Sequence, residues 1–446
     1  MIKVFKPHLT YLQIIALGFL AVILIGSILL TLPISSRSGE TPFLGAMFTA
    51  TSATCVTGLV IYDTYSHWTL FGQLVILAMI QIGGIGFMTI IAMLSVFMKR
   101  RISLHERRLL MESAGTIRIA GVVKLVRRVF FGTFIFEGIG ALVLTVRFLP
   151  EMGLAQAFYN AVFHSVSAFC NAGFDIMGKS APFSSLTAYK LDPVVNITIS
   201  MLIIMGGLGC LVWNDCIQSR FNFKKYELHS KLVFTTTLLL LVIGTVLFFF
   251  LERNGEMAGL TVPQRLLVSF FQSVTPRTAG YNTIDINKLS DSGKVLTTIL
   301  MFIGGSPGST AGGIKTTTFL VLILGAVSAS RHTPSINVFR RRLDEHIVKR
   351  ASAIFTIYVS VVLAALMIIC ELEPFDAEKI LFEVVSAIGT VGLSMGITPQ
   401  LCTASRIILM ILMFGGRVGG LTLMLVLAEK RINIPLDRPY EKILIG

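Results

Sequence analysis

Ser52-Ala53-Thr54-Cys55-Val56-Thr57-Gly58-Leu59, Ser167-Ala168-Phe169-Cys170-Asn171-Ala172-Gly173-Phe174, Val274-Thr275-Pro276-Arg277-Thr278-Ala279-Gly280-Tyr281 and Ser386-Ala387-Ile388-Gly389-Thr390-Val391-Gly392-Leu393 are four variants of one pattern. In each, small and polar residues lead to a glycine and then to a large apolar side chain. The glycines stand 115, 107 and 112 residues apart. A serine lies six positions before the glycine in three copies, and the third copy has Ser273 one place earlier. Each pattern closes a moderately apolar stretch of roughly 10–16 residues. That is too short to cross ~30 Å of hydrocarbon, which takes about 20.

Longer apolar runs frame these stretches, near 11–32, 68–98, 125–148, 190–217, 231–251, 294–330, 350–370 and 404–429. Gly83-Gly84-Ile85-Gly86, Gly206-Gly207-Leu208-Gly209, Gly304-Gly305 and Gly415-Gly416 follow the four glycines by 25, 33, 24 and 23 residues. Span, short segment, glycine and Gly-rich span therefore recur four times, the mark of an internal array. The predicted repeats are 1–98 (pore segment near 43–59), 99–219 (near 155–174), 220–335 (near 265–281) and 336–446 (near 376–393). The second run is long enough to require a tilt or bend, with Gly83, Gly84 and Gly86 as candidate points.

Composition supports a membrane setting. Hydrophobic residues make up 54% of the 446, charged residues 14%, and mean hydropathy is +0.79. Soluble domains carry roughly 25% charged residues. The net charge of +14 does not point to nucleic acid, because Lys and Arg gather between apolar runs beside Glu106, Glu112, Asp344 and Glu345. Most of the 38 basic residues fall on one side if the termini and the three span-to-span linkers share it. The first linker holds Lys99, Arg100, Arg101, Arg107, Arg108, Arg118, Lys124, Arg127 and Arg128. By the positive-inside rule that side, with both termini, is cytoplasmic. Residues 11–32 read as a retained helix, since Leu32-Pro33-Ile34-Ser35 is a poor cleavage site. Six scattered cysteines without a CxxC pair, and seven histidines without HExxH, give no metal or enzyme signature.

Four segments entering and leaving from outside bring irregular backbone to membrane depth, where lipid contact costs several kcal/mol per unpaired group. They are tolerable around a water-filled axis. A short helix aimed inward puts its partly negative C-terminal end there, and the following strand turns carbonyls to it. Carbonyl rings can replace a cation's hydration shell, and potassium is the ion they are known to favour. The predicted fold class is therefore an all-α polytopic membrane protein with eight transmembrane spans in four pseudo-symmetric helix–pore loop–helix repeats, potassium-channel-like. The predicted ion selectivity filter comprises Thr57, Gly58, Asn171, Ala172, Gly173, Thr278, Ala279, Gly280, Thr390, Val391 and Gly392, with potassium at carbonyls near the four glycines. Asp63 and Asp175 are expected to concentrate cations at the entrance, and Arg277 to support the filter. Asn214 and Asp215 are expected at the inner end of the fourth span in a structural or contact role.

The sixth run is interrupted by Gly304-Gly305-Ser306-Pro307-Gly308-Ser309-Thr310-Ala311-Gly312-Gly313-Ile314-Lys315-Thr316. Ile314 separates Gly313 from Lys315, so no phosphate-binding Gly-Lys-Ser/Thr follows. Broken backbone at this depth predicts an obstacle inside the filter, and residues 304–313 with Lys315 form the candidate gate. Arg417 in the last run needs partners at that depth. It is expected to bond loop carbonyls or to act as an electrostatic barrier. A solute transporter built on broken helices and a membrane-anchored scaffold are the competing classes.

Those filter segments, the 304–316 stretch and Gly415-Gly416-Arg417-Val418-Gly419 resemble the bacterial Trk/Ktr/HKT superfamily of potassium transporters over nearly the whole chain, above all Ktr membrane subunits of the KtrB type. The resemblance implies selectivity-filter glycines at 58, 173, 280 and 392, an intramembrane gating loop at 304–313 and the family's last-span arginine at Arg417. It also implies potassium uptake at the bacterial plasma membrane down the electrochemical gradient, with sodium stimulation. The implied partners are a second copy in a homodimer, the lipid bilayer and a cytoplasmic octameric ring of nucleotide-binding subunits. No dinucleotide fingerprint appears here, so no cofactor is expected in this chain, and ATP or ADP would act through that separate ring.

Overall fold

The computed structural model describes residues 10–98, 104–113, 121–179, 181–333 and 335–419. Its helices follow one another in four rounds. The first holds α1 (Tyr11–Thr31), α2 (Phe43–Thr54), the single turn α3 (Thr64–His67), α4 (Leu70–Ile85) and α5 (Phe87–Phe97), with α6 (Leu104–Ser113) after it. The second holds α7 (Val122–Met152), α8 (Leu154–Phe169), α9 (Pro193–Leu208) and α10 (Cys210–Gln218). The third holds α11 (Leu228–Leu251), α12 (Val262–Val274), α13 (Asp291–Phe302) and α14 (Thr316–Ser330). A small hairpin pairing Asn337 with Arg342 leads to the fourth, α15 (Glu345–Leu372), α16 (Ala377–Gly389) and α17 (Thr403–Val418).

Among the described residues, α1, α7, α11 and α15 are long and apolar enough to cross a membrane, and the bent pairs α4–α5 and α9–α10 raise the number to six. The expected span near 404–429 is described only to Gly419. The remainder of it, linker residues 99–103 and 114–120, and the chain ends that were expected in the cytoplasm lie outside the described residues.

Membrane helices here are sorted by size and polarity rather than by apolarity alone. In α7 the buried face carries Thr133, Glu137, Gly140, Ala141 and Leu144. Its outer face shows Ile135, Ile139, Leu142 and Val146, all exposed and spaced by three or four residues. Apolar side chains gain nothing by leaving lipid, so small and polar residues mark the packed face. Gly140 illustrates this: a Cβ there would stand 2.6 Å from Ser165 Oγ of α8. The short helices α2, α8, α12 and α16 sit inside this shell; the C-terminal halves of α2 and α16 are buried throughout, and those of α8 and α12 are buried except at the half-buried Val162, Val166 and Phe270.

Interruption of the inner helices is more general than the sequence predicts. The run near 190–217 reads as one span, yet α9 and α10 meet at 89°, and α4 and α5 meet at 93°. The junctions are Gly209, at φ +90°, and Gly86, at φ +86°. Left-handed backbone costs other residues roughly 1–2 kcal/mol, so single glycines suffice to break both helices. Among the candidate bend points Gly86 alone takes the turn. Gly83 and Gly84 stay helical, packed against the Thr54 carbonyl and Cys170 Sγ. α17 likewise ends at Gly419, φ +96°. The third repeat replaces a single glycine with the whole segment between α13 and α14.

One further expectation is corrected. Ser273 is not the third repeat's counterpart of the serines at 52, 167 and 386. Its hydroxyl donates to the Leu241 carbonyl at 3.0 Å, and Thr275 takes the role instead.

Candidate functional site

Each short helix ends within a few residues of its glycine, and the four strands that follow meet in a closed ring. A Cβ on Gly58 would stand 2.5 Å from the Ala172 carbonyl oxygen and 3.3 Å from Gly173 Cα. One on Gly173 would stand 2.7 Å from the Ala279 oxygen and 3.0 Å from Gly280 Cα. Gly280 abuts the Val391 carbonyl in the same way, and Gly392 abuts that of Thr57, which returns the circle to its start. No side chain larger than hydrogen fits at these four points.

The backbone repeats as faithfully as the contacts. Gly58, Gly173, Gly280 and Gly392 have φ of +95°, +69°, +79° and +88°. Two positions earlier, Val56, Asn171, Thr278 and Thr390 have φ of +57°, +60°, +67° and +51°. An ordinary strand turns successive carbonyls to opposite sides. Alternation between the two hands instead turns them to one side. Non-glycine residues in this region are uncommon, and a β-branched one is a strained outlier, so three such positions among four need a surrounding that holds them. Val56 is the ring position that the sequence reading passes over. Aligning the four copies on their glycines would have found it.

Hydroxyls behind the ring hold the strands. Ser52 Oγ accepts from the Gly58 amide at 3.0 Å and Ser386 Oγ from the Gly392 amide at 3.1 Å. Ser167 and Thr275 donate instead to the carbonyls of Phe174 and Tyr281, at 2.8 and 2.6 Å. Removing the Ser386 hydroxyl takes the side-chain acceptor from the half-buried Gly392 amide, a net cost of about 1 kcal/mol. Ser386→Ala is therefore expected to lower the thermal midpoint of the detergent-solubilised protein clearly more than Ser273→Ala. Equal midpoints for the two variants would remove Ser386 from this role.

All four glycines line one outer cavity of ≈ 830 Å³ together with Asp63, Asp175, Glu256 and Asp285. Asp63 is committed elsewhere: its two carboxylate oxygens accept from the amides of Ser66 at 2.7 Å and Phe183 at 2.9 Å. It pins the outer loops as well as placing a charge at the rim. Asp175 accepts from the Met177 amide at 3.1 Å. Arg277 is buried behind the ring, where it reaches Thr237 Oγ1 at 3.4 Å. Farther in, Asn214 accepts from Arg128, and Asp215 accepts from Ser219 Oγ at 3.1 Å and the Glu227 amide at 2.9 Å, a structural arrangement.

The 304–313 segment folds back on itself. Ile303 and Ile314 form a parallel bridge, and the Gly304 amide donates to the Ile314 carbonyl at 2.8 Å. The segment docks on the second repeat: the amides of Ser306 and Thr310 donate to the carbonyls of Gly207 and Gly206, at 3.0 and 3.4 Å. The Cys210 amide, freed by the break at Gly209, donates to the Gly308 carbonyl at 3.0 Å. Lys315 Nζ bonds the Ala311 carbonyl at 2.5 Å. Arg417 donates to the Thr310 carbonyl and also reaches the carbonyls of Gly83 and Gly84 in α4. Its charge is thus spread over carbonyl dipoles from two repeats.

An inner cavity of ≈ 410 Å³ is lined by Pro307 to Ala311, Lys315, Arg350, Arg417 and the glycines of the α4–α5 bend. It shares no lining residue with the outer cavity. The outer space stops at the glycine ring and the inner one at the loop. Arg350 faces the inner cavity although the sequence offers no signal for it beyond its place at the start of an apolar run.

The fold and the ring define a multi-pass membrane protein of the transport class. The profile of the TrkH family, described as cation transport protein, matches residues 9–434. The potassium/sodium uptake protein NtpJ of Enterococcus hirae is 42% identical, over 99% of this chain and 98% of its own. Ktr system potassium uptake protein B of Bacillus subtilis is 40% identical, over 94% and 93%. The crystal structure of the potassium transporter TrkH from Vibrio parahaemolyticus shares the fold, with a TM-score of 0.72 over 95% of this chain and 86% of that one, at 19% identity. The chain belongs to the TrkH family of cation transport proteins, which are transporters and not enzymes.

Proposed function

We propose that this chain conducts potassium into the cell as the membrane subunit of a Ktr-type system, through a gated pore driven by the electrochemical gradient. The observation that carries the proposal is the closed ring of Gly58, Gly173, Gly280 and Gly392, each set against the carbonyl of the next repeat. Ring residues Thr57, Asn171, Ala172, Thr278, Ala279, Thr390 and Val391 are buried and carry no carboxylate. A neutral ring of carbonyls suits a monovalent, dehydrated cation. The four repeats 1–98, 99–219, 220–335 and 336–446 each supply one strand, with both termini cytoplasmic. Residues 304–313, Lys315 and Arg417 act as the gate, between the ring and the inner cavity.

The names of the curated relatives support potassium as cargo, and that of the Enterococcus protein adds sodium as accompanying ion or effector. A homodimer on a cytoplasmic nucleotide-binding ring, responsive to ATP or ADP, is part of the same proposal, which the likeness to Ktr system potassium uptake protein B supports. The test is potassium or rubidium uptake in cells that lack other uptake systems, compared with the same cells without this chain. Saturable, potassium-selective uptake is expected. An organic-solute flux that persists without monovalent cations would overturn the assignment in favour of a solute transporter.

A further inference from the structure

At the ring position two residues before the glycine, three side chains are short (Val56, Thr278 and Thr390) and one, Asn171, carries a carboxamide. Its two ends face different parts of the protein. Nδ2 donates to the Arg277 carbonyl at 3.3 Å and to Thr278 Oγ1 at 3.2 Å, both on the third repeat's ring strand. Oδ1 accepts from Thr310 Oγ1 at 3.2 Å, on the intramembrane loop. A carbonyl can only accept, so Arg277 fixes which end of the amide points its way. The Oδ1 end is left for the loop.

Thr310 is held on its other sides too. Its carbonyl accepts from Arg417, and its hydroxyl also lies 3.3 Å from the Phe169 carbonyl at the end of α8. Two residues on, the Gly312 amide donates to Thr390 Oγ1 at 3.1 Å, a second tie to a ring position. The loop therefore does more than obstruct. It supplies hydrogen bonds to the second and fourth ring strands, and through Asn171 it reaches the third. A loop that leaves the path must break these bonds, and it strands a buried carboxamide oxygen beside a strained left-handed backbone.

We propose that Asn171 is a positioning residue through which the loop sets ion discrimination by the ring, so that gating and selectivity are coupled. With Thr310 bonded, the carboxamide braces strands two and three at fixed separation. With Thr310 released, those strands relax and the ring admits the smaller sodium ion more readily. This deepens the potassium-uptake proposal and rests on it.

Rubidium and sodium uptake into vesicles reconstituted with the purified protein tests the coupling. Thr310→Val keeps the branched shape and removes the hydroxyl. It is expected to lower the rubidium-to-sodium uptake ratio about fivefold, the factor for one lost neutral hydrogen bond of about 1 kcal/mol. Thr310→Ser is expected to restore the ratio. Thr278→Val removes one of the two acceptors at the other end of the same bridge, the Arg277 carbonyl remaining, and is expected to lower the ratio by a smaller but measurable factor. Combined with Thr310→Val it should add little, because both act on one carboxamide. A wild-type ratio in folded Thr310→Val, or in Thr278→Val should the first fail to fold, overturns the coupling even if total flux changes. A wild-type protein with no rubidium preference overturns the potassium proposal and this one with it.

Discussion

Gly392→Asp is expected to reduce potassium-selective uptake at least about a hundredfold, and Gly173→Asp to do the same. Three costs act together at these points. Left-handed backbone at +88° and +69° costs a residue with a side chain roughly 1–2 kcal/mol. The first side-chain carbon would fall against the Thr57 carbonyl in one case and 2.7 Å from the Ala279 carbonyl in the other. Neither neighbour is a flexible side chain; both are backbone of the adjoining strand, so the ring itself must move. A carboxylate then places a full charge beside the ring carbonyls, which on the proposed potassium path holds the ion or collapses the site. Together these exceed the ~2.7 kcal/mol that a hundredfold change represents. Gly259→Ala is the matched control: φ there is +76°, and nothing lies within 4 Å of a Cβ. It carries the backbone cost without the ring contacts and should leave uptake nearly intact. Uptake by each variant, normalised to protein in the membrane, checks the comparison. Selective flux at the unsubstituted level in Gly392→Asp would remove the ring from the conduction path.

The ring was legible in the sequence because its requirement is chemical and local. A strand that alternates backbone hands and packs against its neighbour's carbonyl needs glycine at one position, and four glycines at matching spacing announce it. Val56 was not legible, since a left-handed β-branched residue is contrary to its own propensity and is held only by tertiary contacts. The same holds for Thr275: its hydroxyl reaches the strand from one position closer than the serines of the other repeats, a shift that no spacing rule anticipates. The break at Gly209 escaped for a different reason. A glycine in an apolar run can stay helical, as Gly206 and Gly207 do, and a bend depends on what receives the freed amides. Here the Gly308 carbonyl receives that of Cys210, from another repeat. Arg417 was recognisable as a charge in need of partners at membrane depth. That it also reaches α4, tying the fourth repeat to the first, is a product of packing.

Deletion of residues 306–312 is expected to raise potassium flux by up to about tenfold while preserving the fold. The chain is already closed at the neck of this segment: Ile303 pairs with Ile314, and the Thr316 amide donates to the Gly305 carbonyl at 3.0 Å. Joining residue 305 to residue 313 therefore asks little of the helices on either side. What disappears is the part that lines the inner cavity and carries the acceptors for Arg417 and Lys315 at Thr310 and Ala311. A loop that blocks the path about nine-tenths of the time leaves roughly tenfold to gain, and one that blocks it half the time leaves only twofold. Arg417 limits the gain. Stripped of the Thr310 carbonyl, it keeps Gly83 and Gly84 as partners but shields its charge less from a passing cation. Arg417→Gln in the deletion background should then raise flux further, whereas Arg417→Gln alone frees the loop and removes the charge together. Initial rates of rubidium uptake for the deletion, the substitution and the pair separate obstruction from repulsion. Unchanged flux in a folded deletion would mean the loop is a brace for the ring and not a barrier, and the rise with Arg417→Gln would then report the charge alone.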